Sequence, residues 1–317
     1  MIRVALAGAA GAFGQKHLGA ILNISDAELI CLIGSPGDGV EELANQKGIK
    51  SSEESLSLAL ARDDIDAVIL ATPTPLHAQQ TIACLEAGKH VLCEIPMAES
   101  LADSKKVAAV HQQSGLVGMC GHIRRFNPSH QYMYQKIKAG ELCIQQMDVQ
   151  TYFFRRENIN ALGKPRTWTD HLLWHHAAHT IDLFMYQTGE QVSEVFGFQG
   201  PKNPELGISM DMTIGMKTPT GKLCTLSLSF NNDGPLGTYF RYICDNGTYI
   251  ARYDELVNGR EEAIDLTEVA VSLNGVELID REFISAIKEG RRPNGSFEQI
   301  IPTMEVMHRI EQQMGGE

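Results

Sequence analysis

The chain has 317 residues, more than one compact core usually holds, so two domains are expected. Its formal net charge of -12 disfavours nucleic acid as a partner, although a local arginine cluster would still allow a small anionic substrate. The seven cysteines form no C-x-x-C pair, and no apolar run is long enough to span a bilayer. With a strand-like start and no basic leader, these features predict a cytoplasmic protein without membrane attachment.

The first 122 residues alternate short apolar runs with helical segments. Strands are predicted at residues 3–8, 28–34, 66–72, 90–95 and 116–121, and helices at 41–47, 76–87 and 102–114. Strands that are apolar almost throughout and are joined by helices indicate a parallel sheet covered on both faces. Residues 1–122 are therefore predicted to form a doubly wound α/β domain.

The pattern changes in residues 123–317, which are predicted to form a second, α+β domain. Helices are predicted at 129–138, 171–186, 281–289 and 297–314, and strands at 145–154, 210–216, 226–230 and 248–253. Met210, Met212 and Met216 alternate with polar or small residues, which indicates an open, mainly antiparallel sheet with one covered face. That face fits either a core or a surface that covers a second copy of the chain.

A glycine loop, G-A-A-G-A-F-G at residues 8–14, follows the first strand and opens a helix. Glycines there let a pyrophosphate reach bare N–H groups at the positive end of the helix. A tight turn would explain a lone triplet, but the position within a β-α-β run favours dinucleotide binding. The candidate contacts are Gly8, Ala10, Gly11, Ala12, Phe13 and Gly14.

The second strand ends in I-G-S-P-G, without the carboxylate that usually binds the adenine ribose of NAD. Ser35 and nearby N–H groups would accept a 2′-phosphate instead. NADP is therefore predicted as the cofactor. NAD remains the alternative, because Asp38 lies close by in the sequence.

Three further stretches are A-T-P-T-P-L-H at 71–77, G-K-H-V-L-C-E-I-P at 88–96 and W-H-H-A-A-H-T-I-D at 174–182. In this order the chain resembles the glucose-fructose oxidoreductase/inositol dehydrogenase (GFO/IDH/MocA) family over essentially its whole length. The resemblance implies a nicotinamide-dependent oxidoreductase with a dinucleotide-binding Rossmann domain at 1–122. It also implies a domain at 123–317 that binds substrate and, through its sheet, a second subunit in a homodimer or larger homo-oligomer. The residues that it implies near the nicotinamide are Thr72, Pro73, His77, Glu94 and Pro96.

The chain departs from the family at Ile95, where the usual motif Glu-Lys-Pro has a lysine that positions substrate hydroxyls. Loss of that polar group disfavours polyols and sugars. Four other stretches, at 121–130, 145–156, 168–179 and 227–237, resemble family members that act in the breakdown of aromatic compounds. This resemblance implies a ring substrate that carries carboxylates.

The histidine-rich segment supplies the candidate acid/base groups. On an α-helix, His171, His175, His179 and Asp182 would share one face. The resemblance gives His179 the acid/base role, with His175 in place of the aspartate that commonly accompanies it, and imidazole titrates near working pH. Zinc is less favoured because H-E-x-x-H and neighbouring cysteine or glutamate ligands are missing, so no metal is predicted. His176 is assigned a structural role.

Two arginine pairs, Arg124–Arg125 and Arg155–Arg156, lie near predicted strand ends. Guanidinium groups bind carboxylates through two parallel hydrogen bonds. Arg155 and Arg156 point to opposite faces of a strand, so at most one reaches a given pocket. Solvated arginines at domain edges are the alternative. The candidate substrate contacts are Arg124, Arg125, Arg155, His175 and Trp168, with Trp174 and Phe126 as further aromatic walls.

The sequence thus predicts a dehydrogenase of a small anionic carboxylate substrate. One alternative is a dehydrogenase of another sugar acid, an inositol or a dihydrodiol on the same fold. The other is a non-catalytic regulator that senses a dinucleotide.

Overall fold

The computed structural model describes residues 1–159, 163, 165–166, 168–267, 269 and 275–315. The chain divides into two compact units. Unit 1 comprises Met1–His122, Ile159–Trp168 and Val276–Ile301, and unit 2 comprises Ile123–Asn158, Thr169–Gly275 and Pro302–Glu317. Unit 1 therefore takes in two later segments that the sequence analysis assigned to the second domain.

Unit 1 contains a six-stranded parallel sheet in the order β3-β2-β1-β4-β5-β6. Its strands are β1 (Ile2–Ala7), β2 (Ala27–Ile33), β3 (Ser51–Glu53), β4 (Ala67–Leu70), β5 (His90–Cys93) and β6 (Gly118–Cys120). Its helices are α1 (Ala12–Ile21), α2 (Val40–Lys47), α3 (Leu56–Leu60), α4 (His77–Glu86) and α5 (Leu101–Ser114). The predicted doubly wound sheet is confirmed, and its order reverses between β1 and β4, where such sheets bind ligands.

The segment 276–301 belongs to unit 1 because its side chains pack there. Asp280 on α8 (Gly275–Glu289) accepts a hydrogen bond from His17 at 2.8 Å. The ring of Phe297, the first residue of α9 (Phe297–Gln313), meets the His111 ring edge-on at 5.4 Å. These contacts join residues far apart in sequence, so no local sequence pattern predicts them.

Unit 2 contains a seven-stranded sheet in the order β13-β12-β11-β7-β10-β9-β8. Its strands are β7 (Ile144–Tyr152), β8 (Glu194–Gln199), β9 (Asp211–Lys217), β10 (Leu223–Ser229), β11 (Gly237–Cys244), β12 (Gly247–Arg252) and β13 (Glu255–Asn258). Neighbouring strands are antiparallel except β7 and β10, which confirms the predicted open, mainly antiparallel sheet. Its helices are α6 (Pro128–Lys138), a π-helical turn at Leu172–Ala177, α7 (Ala178–Thr188) and most of α9.

One face of the unit 2 sheet lies in the core of this chain. Met212, Ile214 and Met216 on β9 are at most 3% exposed, and Leu226 and Leu228 on β10 are buried beside them. The alternating methionines are therefore core residues. None of the helices in the described part of the chain combines the length and apolar character that a membrane span requires.

Candidate active site

The glycine loop of unit 1 is built for close approach by an anion. Gly8 has a φ of +79°, and a Cβ there would collide with the carbonyl of Ala71. A Cβ on Gly14 would collide with the Gly8 carbonyl, which accepts the Gly11 N–H at 2.9 Å. Gly11 caps α1 without a side chain, so the first N–H groups of the helix stay open to a ligand. The loop therefore fits a dinucleotide pyrophosphate.

The other predicted residues of this loop differ in exposure. Ala10 and Ala12 are half-buried, and Phe13 is 42% exposed with the Lys16 ammonium 4.6 Å from its ring. Phe13 is therefore on the surface of the helix start rather than in the core.

The turn after β2 carries the carboxylate of Asp38, which the sequence analysis noted only as close in sequence to Ser35. Ser35 is exposed, and its backbone N–H donates to Asp38 Oδ2 at 2.7 Å. One of the N–H groups proposed for a 2′-phosphate is thus already bonded to an anion. The Ser35 hydroxyl remains the polar side chain at this strand end.

The loops at 72–73 and 94–96 are fixed by internal hydrogen bonds. Thr72 Oγ1 donates to Gln80 Oε1 at 2.5 Å. Glu94 Oε2 accepts the Ile95 N–H at 3.3 Å, and a Cβ on Gly121 would lie only 2.7 Å from Glu94 Oε1. Ile95 is 4% exposed, so the described structure has an apolar side chain where the family motif has lysine.

His17 is a functional candidate that the sequence analysis missed. It lies on α1, three residues after Gly14, and its fully buried ring contacts Glu94 Oε1 at 3.0 Å and Asp280 Oδ1 at 2.8 Å. Burial opposes the charged form, but the two carboxylates outweigh it and raise the pKa of His17 to about 10. The sequence signal that could have identified His17 is its position on the buried face of the helix after the glycine loop. Its partners lie in distant segments, so the sequence does not show them.

The histidine-rich segment of unit 2 is not a continuous α-helix. Residues 172–177 form a π-helical turn, in which each residue advances less than on an α-helix, and the helix predicted at 171–186 corresponds to this turn followed by α7. His171 lies before the turn and caps it, with Nδ1 accepting the Leu173 N–H at 3.1 Å. Asp182 forms an ion pair with Arg125. His179 is half-buried in the first turn of α7, four residues after His175.

A polar cluster surrounds Asp170, which the sequence analysis did not select. The ligand atoms of Asp170, His175 and His176 lie within 4.8 Å of one another, and His176 Nε2 is 3.7 Å from Asp170 Oδ2. Arg155 Nη2 donates to the same Oδ2 at 2.6 Å. Burial disfavours the carboxylate, but the nearby side chains of His176, His175 and Arg155 hold the pKa of Asp170 well below its usual range.

The spacing within this cluster would also suit a metal ion. A guanidinium already bound to the carboxylate opposes a divalent cation at that position. The arrangement of Arg155, Asp170 and His176 is therefore best explained as a charge-paired set of hydrogen-bonding groups. It brings the predicted residues His175 and Arg155 together.

Arg125 and Arg124 are engaged in the interior of unit 2. Arg125 forms a two-pronged pair with Asp182, with Nε–Oδ2 at 2.7 Å and Nη2–Oδ1 at 2.6 Å. Arg124 is buried, donates to Asn127 Oδ1 at 3.2 Å and lies 4.9 Å from the Tyr253 ring. Burial lowers the pKa of Arg124 from its ordinary value. Both guanidinium groups thus have internal roles.

The remaining predicted contacts are dispersed. Arg156 is exposed and stacks on Phe154 at 4.2 Å. Trp168, in unit 1, is half-buried with the Arg166 guanidinium 5.1 Å from its ring. Trp174 is buried and donates to Glu311 at 2.6 Å, and Phe126 is 8% exposed, so neither offers an open aromatic wall.

Known proteins resemble this chain in both halves. Residues 2–122 match the family described as "Oxidoreductase family, NAD-binding Rossmann fold", and residues 128–270 match "Bacterial oxidoreductases, C-terminal". The chain is 61% identical over 313 residues to 4-carboxy-2-hydroxymuconate-6-semialdehyde dehydrogenase of Sphingobium sp. (strain NBRC 103272 / SYK-6), covering 99% of each chain.

Two solved structures share the fold. An oxidoreductase domain protein from Kribbella flavida superposes with a TM-score of 0.87 at 21% identity, covering 99% of this chain and 98% of the other. Levoglucosan dehydrogenase, in complex with NADH, gives 0.86 at 19% identity over 99% and 97% of the two chains. The chain belongs to the GFO/IDH/MocA oxidoreductase family, and the predicted family is confirmed. It is a nicotinamide-dependent dehydrogenase acting on a CH–OH group.

Proposed function

We propose that the protein oxidises the cyclic hemiacetal of 4-carboxy-2-hydroxymuconate-6-semialdehyde to 2-pyrone-4,6-dicarboxylate, with NADP as the acceptor. The observation that carries this proposal is the 61% identity to the dehydrogenase named for that substrate, over 99% of the chain. The buried Ile95 supports it, because an apolar side chain there cannot hold the hydroxyls of a polyol. The Arg155 guanidinium beside Asp170 is a group that suits carboxylates.

The dinucleotide, when bound, supplies a nicotinamide ring that accepts hydride. The chain's own residues do the rest. Neutral His179 takes the proton from the hemiacetal hydroxyl, and the hydrogen on the same ring carbon leaves as hydride, which gives the lactone carbonyl. One proton and one hydride are lost, so the step balances without water or a covalent thiol intermediate.

Arg155 is the arginine that best fits substrate binding. Its Nη2 is bound to Asp170, while its buried Nη1 donates no hydrogen bond to any described residue. Its guanidinium also lies 4.4 Å from the Phe230 ring, and this contact helps to fix the orientation of the guanidinium plane. His175, next to the same cluster, is proposed to hold the ring near His179. Positioning of this kind accounts for much of the rate in hydride transfer.

The proposed preference for NADP depends on the turn after β2. Its strand ends without a carboxylate of its own, and the exposed Ser35 hydroxyl is proposed to bind the 2′-phosphate. Asp38 acts against this preference, because a second negative charge near the phosphate is repulsive. The proposed order is therefore NADP before NAD, with NAD also used.

The test is a spectrophotometric assay at about 340 nm with ring-cleaved protocatechuate, run in parallel with NADP and NAD. The proposal expects turnover with both and a higher kcat/KM with NADP. Inositols, sugar acids and dihydrodiols serve as the comparison substrates. If one of those is oxidised and the semialdehyde is not, the proposed substrate is wrong.

A further inference from the structure

His77 was selected from the sequence as a cofactor contact, but its ring is 1% exposed and faces the backbone of unit 1. Nδ1 lies 2.7 Å from the carbonyl oxygen of Pro96, and Nε2 lies 2.8 Å from that of Thr72. The two carbonyls belong to the 72–73 and 94–96 loops. The ring of the first residue of α4 therefore connects two loops that are separated by more than a strand and a helix.

Carbonyl oxygens only accept hydrogen bonds, so each ring nitrogen must carry a proton to bond with one. A neutral imidazole has one N–H, and its other nitrogen would present a lone pair to a carbonyl oxygen at hydrogen-bond distance. In a buried site that leaves one repulsive contact and one unsatisfied acceptor. The imidazolium satisfies both carbonyls and makes both hydrogen bonds charge-assisted.

We propose that His77 is held as an imidazolium that ties the 72–73 loop to the 94–96 loop and so positions the nicotinamide end of the dinucleotide. His77 is a positioning residue, because it acts through the two loops. The contact of those loops with the nicotinamide ribose rests on the proposed function. The charge state of the His77 ring does not depend on the proposed function.

The electrostatic surroundings support this state. Burial opposes the charge, but the Cys93 sulfur and the carbonyls of Pro96 and Thr72 outweigh it and raise the pKa of His77 to about 9. Cys93 on β5 is the titratable side chain that raises the pKa of His77, and Cys84 on α4 lies near Cys93. Burial raises the pKa of Cys84, so that group stays a neutral thiol.

The sign of the pH dependence follows from the raised pKa. The stabilisation is fully present below the ordinary histidine pKa of about 6.5, and it is lost as the pH rises through about 9. Dinucleotide affinity should therefore fall between pH 8 and 10 in the wild-type protein. A variant without the imidazolium should lack that component of the decrease.

The direct test is a long-range proton–nitrogen NMR spectrum of the full-length, ¹⁵N-labelled protein at about pH 8, where an ordinary histidine is neutral. The signal that disappears in His77→Gln identifies the ring. The expected result is two protonated ring nitrogens for His77. One unprotonated nitrogen would overturn the proposal, and His77→Asn provides the same assignment if His77→Gln folds poorly.

The functional test is calorimetric titration with NADP at pH 7.5 and pH 10. His77→Gln should raise the dissociation constant about tenfold at pH 7.5, as expected for loss of one charge-assisted hydrogen bond. His90→Gln is the matched control, since His90 on β5 of the same unit accepts the Val117 N–H through Nδ1 and needs no second proton. Equal affinity and equal pH dependence in wild type and His77→Gln would disprove the positioning role. Neither measurement uses the organic substrate, so a wrong substrate assignment would leave both results interpretable.

Discussion

Individual histidines in this chain have different surroundings, and those surroundings suit different tasks. His17 and His77 are buried between acceptors, which favours a permanent charge. His179 is half-buried at the start of α7. A general base must exchange its proton with the substrate during each turnover, so a half-buried histidine fits that role better than two rings that are at most 1% exposed.

We expect His179→Ala to reduce kcat by about 10²- to 10⁴-fold, the usual contribution of a positioned acid/base group. The NADP dissociation constant should stay within about twofold, since the glycine loop and the 94–96 loop belong to unit 1. His308→Ala, which removes another unit 2 histidine from α9, is the control. Steady-state kinetics and calorimetry check both numbers. Near-normal turnover in His179→Ala would show that another group is the base.

Asp38 is the residue expected to limit the preference for NADP. Its carboxylate bonds the Ser35 N–H at 2.7 Å, next to the proposed 2′-phosphate position. Asp38→Asn removes a like charge and should lower the dissociation constant for NADP roughly threefold to tenfold at low salt, with NAD binding unchanged or weaker. Asp63→Asn, an exposed acid before β4, is the control. An unchanged NADP-to-NAD ratio in Asp38→Asn would place the phosphate elsewhere.

At the scale of elements, the sequence predicted the two sheets well because their periodicities are strong. The buried runs of β1, β4 and β5 indicated a parallel sheet, and the alternation in β9 and β10 indicated an antiparallel one. Short β3 and α3 were missed, since three and five residues carry too little pattern, and no strand was predicted at β8, β11 or β13.

The π-helical turn at Leu172–Ala177 shows where periodicity fails. The same residues fit an α-helical pattern, and nothing in their composition marks the wider turn. The wider turn changes the angle between successive side chains, so an α-helical wheel does not give their directions. The pairing of Asp170 with Arg155, beside His176, was also not predicted. Pairings between side chains on separate segments depend on tertiary packing, which a local pattern does not contain.

At the scale of the whole chain, the division into units also depended on distant contacts. The glycine loop located the dinucleotide-binding unit, but the return of residues 276–301 to that unit depends on side chains such as Asp280 and Phe297. Asp280 would look like an ordinary helix-surface acid in sequence, yet it is fully buried against His17. The family resemblance identified the chemistry. The side chains that pack against each site residue could be identified only from the structure.

We propose that the chain assembles into a homo-oligomer through the unit 2 sheet. β8 is an edge strand, and Phe196 and Phe198 on it are 50% and 71% exposed, with their rings 6.0 Å apart. Adjacent exposed aromatic side chains on a sheet edge indicate a surface that is covered by another chain. Phe196 lies over Gly215, where an added Cβ would collide with its ring, so Phe196 also contributes to packing within the sheet. Phe198 is therefore the better residue to change.

Light scattering coupled to size-exclusion chromatography should give a wild-type mass that is a multiple of the 34.9 kDa chain. Phe198→Ser should shift the population toward monomer at micromolar concentration, because it removes a large apolar contact from the proposed interface. Leu58→Ser, which changes an exposed apolar residue of unit 1, should leave the mass unchanged. A monomeric wild type would reject the assembly. An oligomer that Phe198→Ser leaves intact would instead move the interface away from β8, to another face of the unit 2 sheet or beyond it.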